Sequence, residues 1–110
     1  MKICFDCGHY HCLTPGAPLI KDFGDKIEVL HLHDNHGEIK NGTGDEHLIL
    51  GNGNLNLEDL ANDLAQIKDD IVLCAEYRIA AEECNKEFFD KAKQSLDRLE
   101  QLILIRKKNR

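Results

Sequence analysis

Residues 27–33 read Ile27-Glu28-Val29-Leu30-His31-Leu32-His33. In a β-strand, successive side chains of this segment would point to opposite faces. Ile27, Val29, His31 and His33 share one face of this predicted strand, and Glu28, Leu30 and Leu32 share the other. The first face therefore carries two imidazoles near the carboxyl end of the strand.

Before and after this segment in the sequence, further predicted strands and helices alternate. Short apolar runs predict strands at residues 2–6 and 71–76, and each run ends in a carboxylate. Helices are predicted after Asn56, which is the expected N-cap, and over residues 85–106, with a short candidate helix at 19–23. Strands that alternate with helices indicate a parallel sheet with right-handed crossovers. The predicted fold class is α/β, with three parallel β/α units in one domain over residues 1–110.

The burial of several segments is also predicted from the pattern. The third strand is a continuous apolar run, which is typical of a parallel strand buried on both faces. Residues 7–18 and 34–54 are expected to be irregular, with His11 and His36 exposed in them. The buried side of the last helix is expected to comprise Phe88, Phe89, Ala92, Leu96, Leu99 and Ile103.

Composition argues against several classes of function. The formal net charge of −6 disfavours nucleic acid as a partner, because phosphate binding needs clusters of Lys and Arg. No apolar run approaches the ~18 residues of a membrane span, and no signal-peptide pattern follows Met1. The 5 cysteines are an odd number without a secretory context, so we expect reduced thiols in a cytoplasmic protein.

All three predicted strands end in side chains that can bind a metal. The first ends at Asp6, the second at His31 and His33, and the third at Glu76. Because the carboxyl ends of parallel strands lie side by side, these groups should converge at one edge of the sheet. Carboxylates combined with imidazole suit Mn²⁺, Mg²⁺, Co²⁺ or Zn²⁺, so a divalent metal is the expected cofactor.

Four local motifs strengthen this prediction. Asp6-Cys7-Gly8-His9 resembles the Asp-Thr-Gly-His motif of xylose isomerase-like barrels, and His31-Leu32-His33-Asp34-Asn35 resembles the motif of their next strand. Asp45-Glu46-His47 followed by Gly51-Asn52-Gly53-Asn54 resembles their Asp-x-His and Gly-Glu-Gly-Asn loop, and Glu76 resembles the glutamate that ends their last strand. In this order, the motifs make the chain similar to the last three β/α units of a metal-dependent TIM barrel in the sugar isomerase/epimerase and endonuclease IV superfamily.

The resemblance implies a role for each matched residue. It implies that Asp6, His31 and Glu76 bind one divalent metal and that Glu76 is also catalytic. It places His9 at the substrate in the sugar enzymes and at a further zinc in the endonucleases. It makes Asp45 and His47 candidates for that further zinc or for substrate. His33 is expected to support the ligands rather than to bind metal.

The activity implied for the sugar enzymes is metal-assisted isomerisation or epimerisation of a sugar or sugar phosphate. In that mechanism the metal holds two adjacent substrate oxygens, and two glutamates serve as acid and base. The second glutamate belongs to an earlier strand that is absent here, and Asn52 stands where the loop motif has a glutamate. We therefore expect this unit to be incomplete as a lone catalyst.

Three alternatives remain open from the sequence. The chain could be similar in activity to the endonuclease IV enzymes, which cleave abasic DNA. It could be a non-catalytic half-barrel that self-associates, or that pairs with a separately encoded N-terminal half, because open strand edges invite pairing. Finally, Cys4 and Cys7 with His9, His11 and Cys12 could form a zinc ribbon, which the strand parity of Cys4 and Cys7 disfavours.

Overall fold

The computed structural model describes residues 1–13, 24–37, 44–67 and 70–109, so the candidate helix at 19–23 lies outside the described residues. Among the described residues, none of the helices combines the length and the apolar character that a membrane span requires. The elements in chain order are β1 (Ile3–Asp6), α1 (Cys7–Leu13), β2 (Ile27–Leu32), α2 (Leu57–Leu64), β3 (Val72–Ala75) and α3 (Lys86–Lys108), with short 3₁₀ turns at Gly24–Lys26 and Ala81–Glu83.

The three strands form one parallel sheet in the order β1-β2-β3, which confirms the predicted α/β class with three parallel β/α units. The register places Asp6 beside His31 and His31 beside Cys74. The backbone N–H of Glu76 donates to the carbonyl of Leu32 at 2.9 Å, so Glu76 continues the ladder one residue beyond β3. The carboxyl ends of all three strands therefore meet at one edge.

One face of the sheet holds the core. Phe5, Leu30 and Leu32 are buried there and pack with Leu60 of α2 and Leu99 of α3. The opposite face, called the site face below, comprises Cys4, Asp6, Val29, His31, Val72 and Cys74 by register. The predicted alternation is confirmed from Val29 to Leu32, with Leu30 and Leu32 on the core face. It fails at the start of the strand, where the register with β1 shifts after Ile27 and Ile27 is buried in the core rather than on the site face.

Two predicted helix starts are confirmed by their caps. The side chain of Asn56 accepts a hydrogen bond from the backbone N–H of Asp59 at 3.0 Å, and that of Asn85 accepts one from Phe88 at 3.0 Å. Each cap satisfies one of the amides that a first helical turn leaves without a partner.

Several burial predictions were wrong. β3 is exposed on one face, with Val72 57% exposed, because within the described residues nothing packs on this side of it. Phe89 is 59% exposed, since the contact of α3 with the core lies further along, around Leu99. Residues 7–13 form α1 rather than an irregular segment. His11 is buried within this helix, where its Nε2 lies 2.7 Å from Asn54 Oδ1.

The loop between β2 and α2 is organised by a buried carboxylate. Asp34 is fully buried and its two oxygens accept four backbone N–H groups, at 2.8 Å from Asn35, 2.8 Å from Gly51, 3.0 Å from Gly53 and 3.0 Å from Leu55. Hydrogen bonds to an ionised acceptor are stronger than neutral ones. One side chain thus fixes both ends of a turn that would otherwise have no regular structure.

Asn35 completes this arrangement from the next position. Its side-chain amide donates to the carbonyl of Gly8 at 2.8 Å, and its backbone carbonyl accepts from Asn54 at 2.8 Å. Gly53 passes so close that a Cβ there would overlap the carbonyl oxygen of Asn35. The residues that follow β2 therefore tie the start of α1 to the loop that precedes α2.

We expect Asp34→Asn to destabilise the fold by about 3 kcal/mol, because the amide nitrogen would face backbone donors and leave buried N–H groups without an acceptor. Urea unfolding followed by circular dichroism measures the change. Asp25→Asn, at an exposed position, removes the same charge and is the matched control. Equal stability of the two variants would contradict the structural role of Asp34.

Candidate metal centre at the carboxyl ends of the strands

The three residues predicted as metal ligands come together at the edge of the sheet. His31 Nδ1 lies 3.0 Å from Glu76 Oε2 and 3.9 Å from Asp6 Oδ2. One donor atom of each residue lies within 4.8 Å of the others, which is a spacing that a single ion can bridge. The side chain of Glu76 is 50% exposed and that of Asp6 is 19% exposed, so the group opens to solvent on the side of Glu76.

A second group of ligand types lies next to the first. His9 Nε2 is 3.0 Å from Asp45 Oδ2, and His47 Nε2 is 3.0 Å from Asp45 Oδ1. These three side chains and His33 also offer donor atoms within 4.8 Å of one another. The candidate residues His9, Asp45 and His47 are therefore adjacent in space, although they come from α1 and from the loop after β2.

Asp6 joins the two groups. Its Oδ1 accepts from His33 Nε2 at 2.6 Å, and its Oδ2 lies 3.2 Å from His9 Nδ1. Desolvation raises the pKa of Asp6, but the hydrogen bonds from His33 and from the His9 backbone, with the charges of both rings, outweigh it and leave the pKa below its ordinary value. Asp6 is therefore held as a carboxylate, which is the form that binds a cation.

Asp45 is in a comparable position in the second group. Burial raises its pKa, and the hydrogen bond from His9, with the charges of His47 and His9, outweighs burial and lowers the pKa overall. Both groups therefore hold an ionised carboxylate beside imidazole nitrogens. This combination suits the divalent ions that accept oxygen and nitrogen ligands.

The geometry of His33 disfavours sharing one ion with His47. The two rings are stacked with centroids 3.9 Å apart and planes 7° from parallel. An imidazole lone pair lies in the plane of its ring, so two stacked rings cannot both direct a nitrogen at one ion. A Cβ at position 8 would overlap the ring of His33, which explains why glycine occupies the third place of the motif at residues 6–9.

The positions of protons in the second group indicate that it suits a cation. His47 Nδ1 lies 2.8 Å from the carbonyl oxygen of Glu76, which can only accept, so Nδ1 carries the proton. In a neutral ring, Nε2 then directs a lone pair toward Asp45 Oδ1 at 3.0 Å. Within the described residues, that buried oxygen has no hydrogen-bond donor unless His47 is protonated at Nε2 as well. Two acceptors that face each other at this distance fit a bound cation or an additional proton between them.

Arg78 holds the loop that carries Asp45 and His47. Its backbone N–H donates to the carbonyl of His47 at 2.9 Å, and its Nη1 donates to the carbonyl of Asp45 at 3.3 Å. The backbone φ of His47 is 53°, in the left-handed region that is uncommon for residues other than glycine. The contacts around His47 stabilise this conformation. Arg78 could not be predicted from the sequence, because it contacts the backbone carbonyls of the loop and belongs to no ligand motif.

The zinc-ribbon alternative does not agree with the structure. Cys4 is exposed on the site face, whereas Cys7 is buried at the start of α1. Burial raises the pKa of Cys7 to about 12, which disfavours the thiolate that zinc requires. The two ligand groups found within the described part of the chain contain no cysteine.

The chain is similar to two uncharacterized proteins of Methanocaldococcus jannaschii. It is 37% identical to MJ1614 over 67 residues, which cover 61% of this chain and 24% of that protein. It is 32% identical to MJ1311 over 100 residues, which cover 82% of this chain and 32% of that protein. The chain thus spans about a third or less of the length of these relatives.

Comparison of structures gives the same relationship. The fold superposes on the crystal structure of a D-tagatose 3-epimerase-like protein with a TM-score of 0.72 and 26% sequence identity. The superposition covers 98% of this chain and 36% of the other, which agrees with a partial barrel. The model of the xylose isomerase-like TIM barrel family matches residues 1–102, and the chain therefore belongs to that family.

Proposed function

We propose that this chain is the metal-binding part of a sugar or sugar-phosphate isomerase or epimerase. The observation that carries the proposal is the convergence of Asp6, His31 and Glu76 at the strand ends of a xylose isomerase-like fold. The similarity to a D-tagatose 3-epimerase-like protein supports a small sugar as the substrate class. The ion would be Mn²⁺, Mg²⁺, Co²⁺ or Zn²⁺, which accept carboxylate and imidazole ligands.

The residues of this chain would contribute to the reaction in distinct ways. A divalent ion held by the three ligands would polarise a substrate carbonyl. The half-exposed carboxylate of Glu76 is placed to move a proton beside that carbonyl. His9, whose side chain is 49% exposed, would hydrogen-bond a substrate hydroxyl by exchanging its contact with Asp45 Oδ2 for the substrate. Asp6 and His33 would keep the ligand set in register.

We expect divalent metal to stabilise the wild-type chain against heat by roughly 10 °C when the metal is present at about 100 times its Kd. Glu76→Gln and His31→Ala should lose most of this shift, because each removes a ligand. Thermal unfolding after chelator treatment and metal addition measures it, with Glu82→Gln at an exposed position as the control. Equal stabilisation of both site variants would mean that the ligands are wrongly assigned.

We further propose that the site is completed by additional β/α units, supplied in the same polypeptide, by another copy or by a separate chain. Two-base epimerisation needs a second carboxylate facing Glu76, and no strand among the described residues provides one. The apolar residues Val72, Leu104 and Ile105 are each more than half exposed. These exposed side chains and the open edge of β3 are suited to packing against further units.

The 110-residue chain on its own should therefore self-associate. Light scattering coupled to gel filtration should give a mass above 12.5 kDa, and Val72→Lys should shift the population toward monomer by placing a charge on the site face. Asn62→Lys adds the same charge at an exposed position of α2 and should have no effect. A stable wild-type monomer would exclude self-association.

An endonuclease IV-like activity is the second candidate, and the cluster of His9, Asp45 and His47 favours it. This cluster gives the chain a second ligand group of the kind that a multi-zinc phosphodiesterase needs. The formal net charge of −6 opposes it, since DNA binding requires a basic surface. We therefore rank it below the sugar enzyme.

A zinc titration combined with an abasic-DNA assay separates the two candidates. We expect a second, weaker zinc site that Asp45→Asn removes and Glu76→Gln leaves in place, and no cleavage of abasic DNA at any zinc concentration. Isothermal titration calorimetry measures the sites, and a gel assay measures cleavage. Cleavage that Asp45→Asn abolishes would replace the sugar proposal with the endonuclease.

We also propose that the protein is cytoplasmic. All five cysteines are free thiols, and Cys4, Cys74 and Cys84 are exposed. A reducing compartment would keep these exposed thiols from oxidising.

A further inference from the structure

We propose that Cys4 is a positioning residue for the metal ligand His31, an inference that rests on the proposed function. The Sγ atom of Cys4 lies 3.5 Å from His31 Nε2, while His31 Nδ1 faces Glu76 Oε2 at 3.0 Å. The two ring nitrogens are therefore assigned to different partners. Nδ1 is directed at the carboxylates and Nε2 at the thiol.

The contact follows from the register of the sheet. Cys4 and Asp6 are two residues apart on β1, so both side chains lie on the site face. Asp6 pairs with His31 across the strands, and Cys4 pairs with Val29, one step before it on the same face. The thiol therefore lies beside the imidazole, on the side that faces away from the strand ends. No loop is needed to bring the two groups together.

The chemistry of imidazole explains the role of the Cys4 thiol as a hydrogen-bond partner of His31 Nε2. When one ring nitrogen binds an ion through its lone pair, the other carries the proton and needs an acceptor, and such partners tune metal affinity. Cys4 Sγ can accept from Nε2–H in the metal-bound state. Without metal, Nδ1–H can donate to Glu76 and the thiol S–H can donate to Nε2. A thiol or hydroxyl can serve both states, and a methyl group can serve neither.

Cys74 provides a matched control on the other side of His31. It is the Cα partner of His31 on β3, it lies on the same face of the sheet, and its thiol is also exposed. Its Sγ is directed to the carbonyl of Ala75 at 4.0 Å rather than to the imidazole. Removing this thiol changes the same face of the sheet but leaves the Cys4–His31 contact in place.

The test compares Cys4→Ala, Cys4→Ser and Cys74→Ala in the full chain, using Mn²⁺ or Zn²⁺ titration calorimetry. We expect Cys4→Ala to weaken metal binding about tenfold, in the range seen for partners of metal-bound histidines. Cys4→Ser should restore most of the affinity, and Cys74→Ala should bind as the wild type does. Equal weakening in Cys4→Ala and Cys74→Ala, or no weakening in Cys4→Ala, would overturn the inference.

A second test, by ¹⁵N NMR, does not depend on metal binding. In the metal-free protein, the ¹⁵N chemical shift of His31 Nε2 should change in Cys4→Ala and stay the same in Cys74→Ala, because within the described residues the Cys4 thiol contacts that nitrogen and the Cys74 thiol does not. An unchanged resonance in Cys4→Ala would overturn the inference even if no variant binds metal. Failure of the wild type to bind any metal, with the resonance shift observed, would overturn the proposed function instead. Cys4 is exposed, so both of its variants are expected to fold.

Discussion

The buried carboxylate of Asp34 is the interaction on which the site depends. Its four backbone hydrogen bonds fix the turn at residues 51–55 directly after β2. The backbone of Asp34 also pairs with Leu48, through hydrogen bonds of 2.8 and 2.9 Å. The segment that carries Asp45 and His47 is thereby held against the end of β2. Together with the contacts of Arg78 and of His47 Nδ1, these hydrogen bonds hold the second ligand group beside the first.

Asp6 connects the two ligand groups through its contacts with His33, His9 and His31, as Asp34 connects the backbone segments around them. Three carboxylates (Asp6, Asp45 and Glu76) lie among four imidazoles. If the rings are neutral, the cluster carries three negative charges in a partly buried setting. Such a concentration of like charge is costly unless protons or cations enter it. Either protons on the rings, which lower the pKa of Asp6 and of Asp45, or a bound cation would meet this electrostatic demand.

The sequence predicted the first ligand group because strand geometry determines it. Parallel strands of known direction bring their carboxyl ends together, so the pattern of residues alone places Asp6, His31 and Glu76 beside one another. Loop contacts could not be predicted in this way. The stacking of His33 on His47 and the left-handed backbone of His47 depend on hydrogen bonds between segments that are about 30 residues apart in sequence.

The error in the predicted burial of β3 has a physical cause. A continuous apolar run predicts a strand with both faces covered, which β3 would have in a complete barrel. In this chain one face of β3 is exposed, and Val72 with it. The apolar sequence of β3 therefore fits the surroundings of a strand in a complete barrel better than those in three isolated β/α units. Asp6, His31 and Glu76 already converge within the chain, so further units would add the opposite wall of the pocket rather than the ligand set itself.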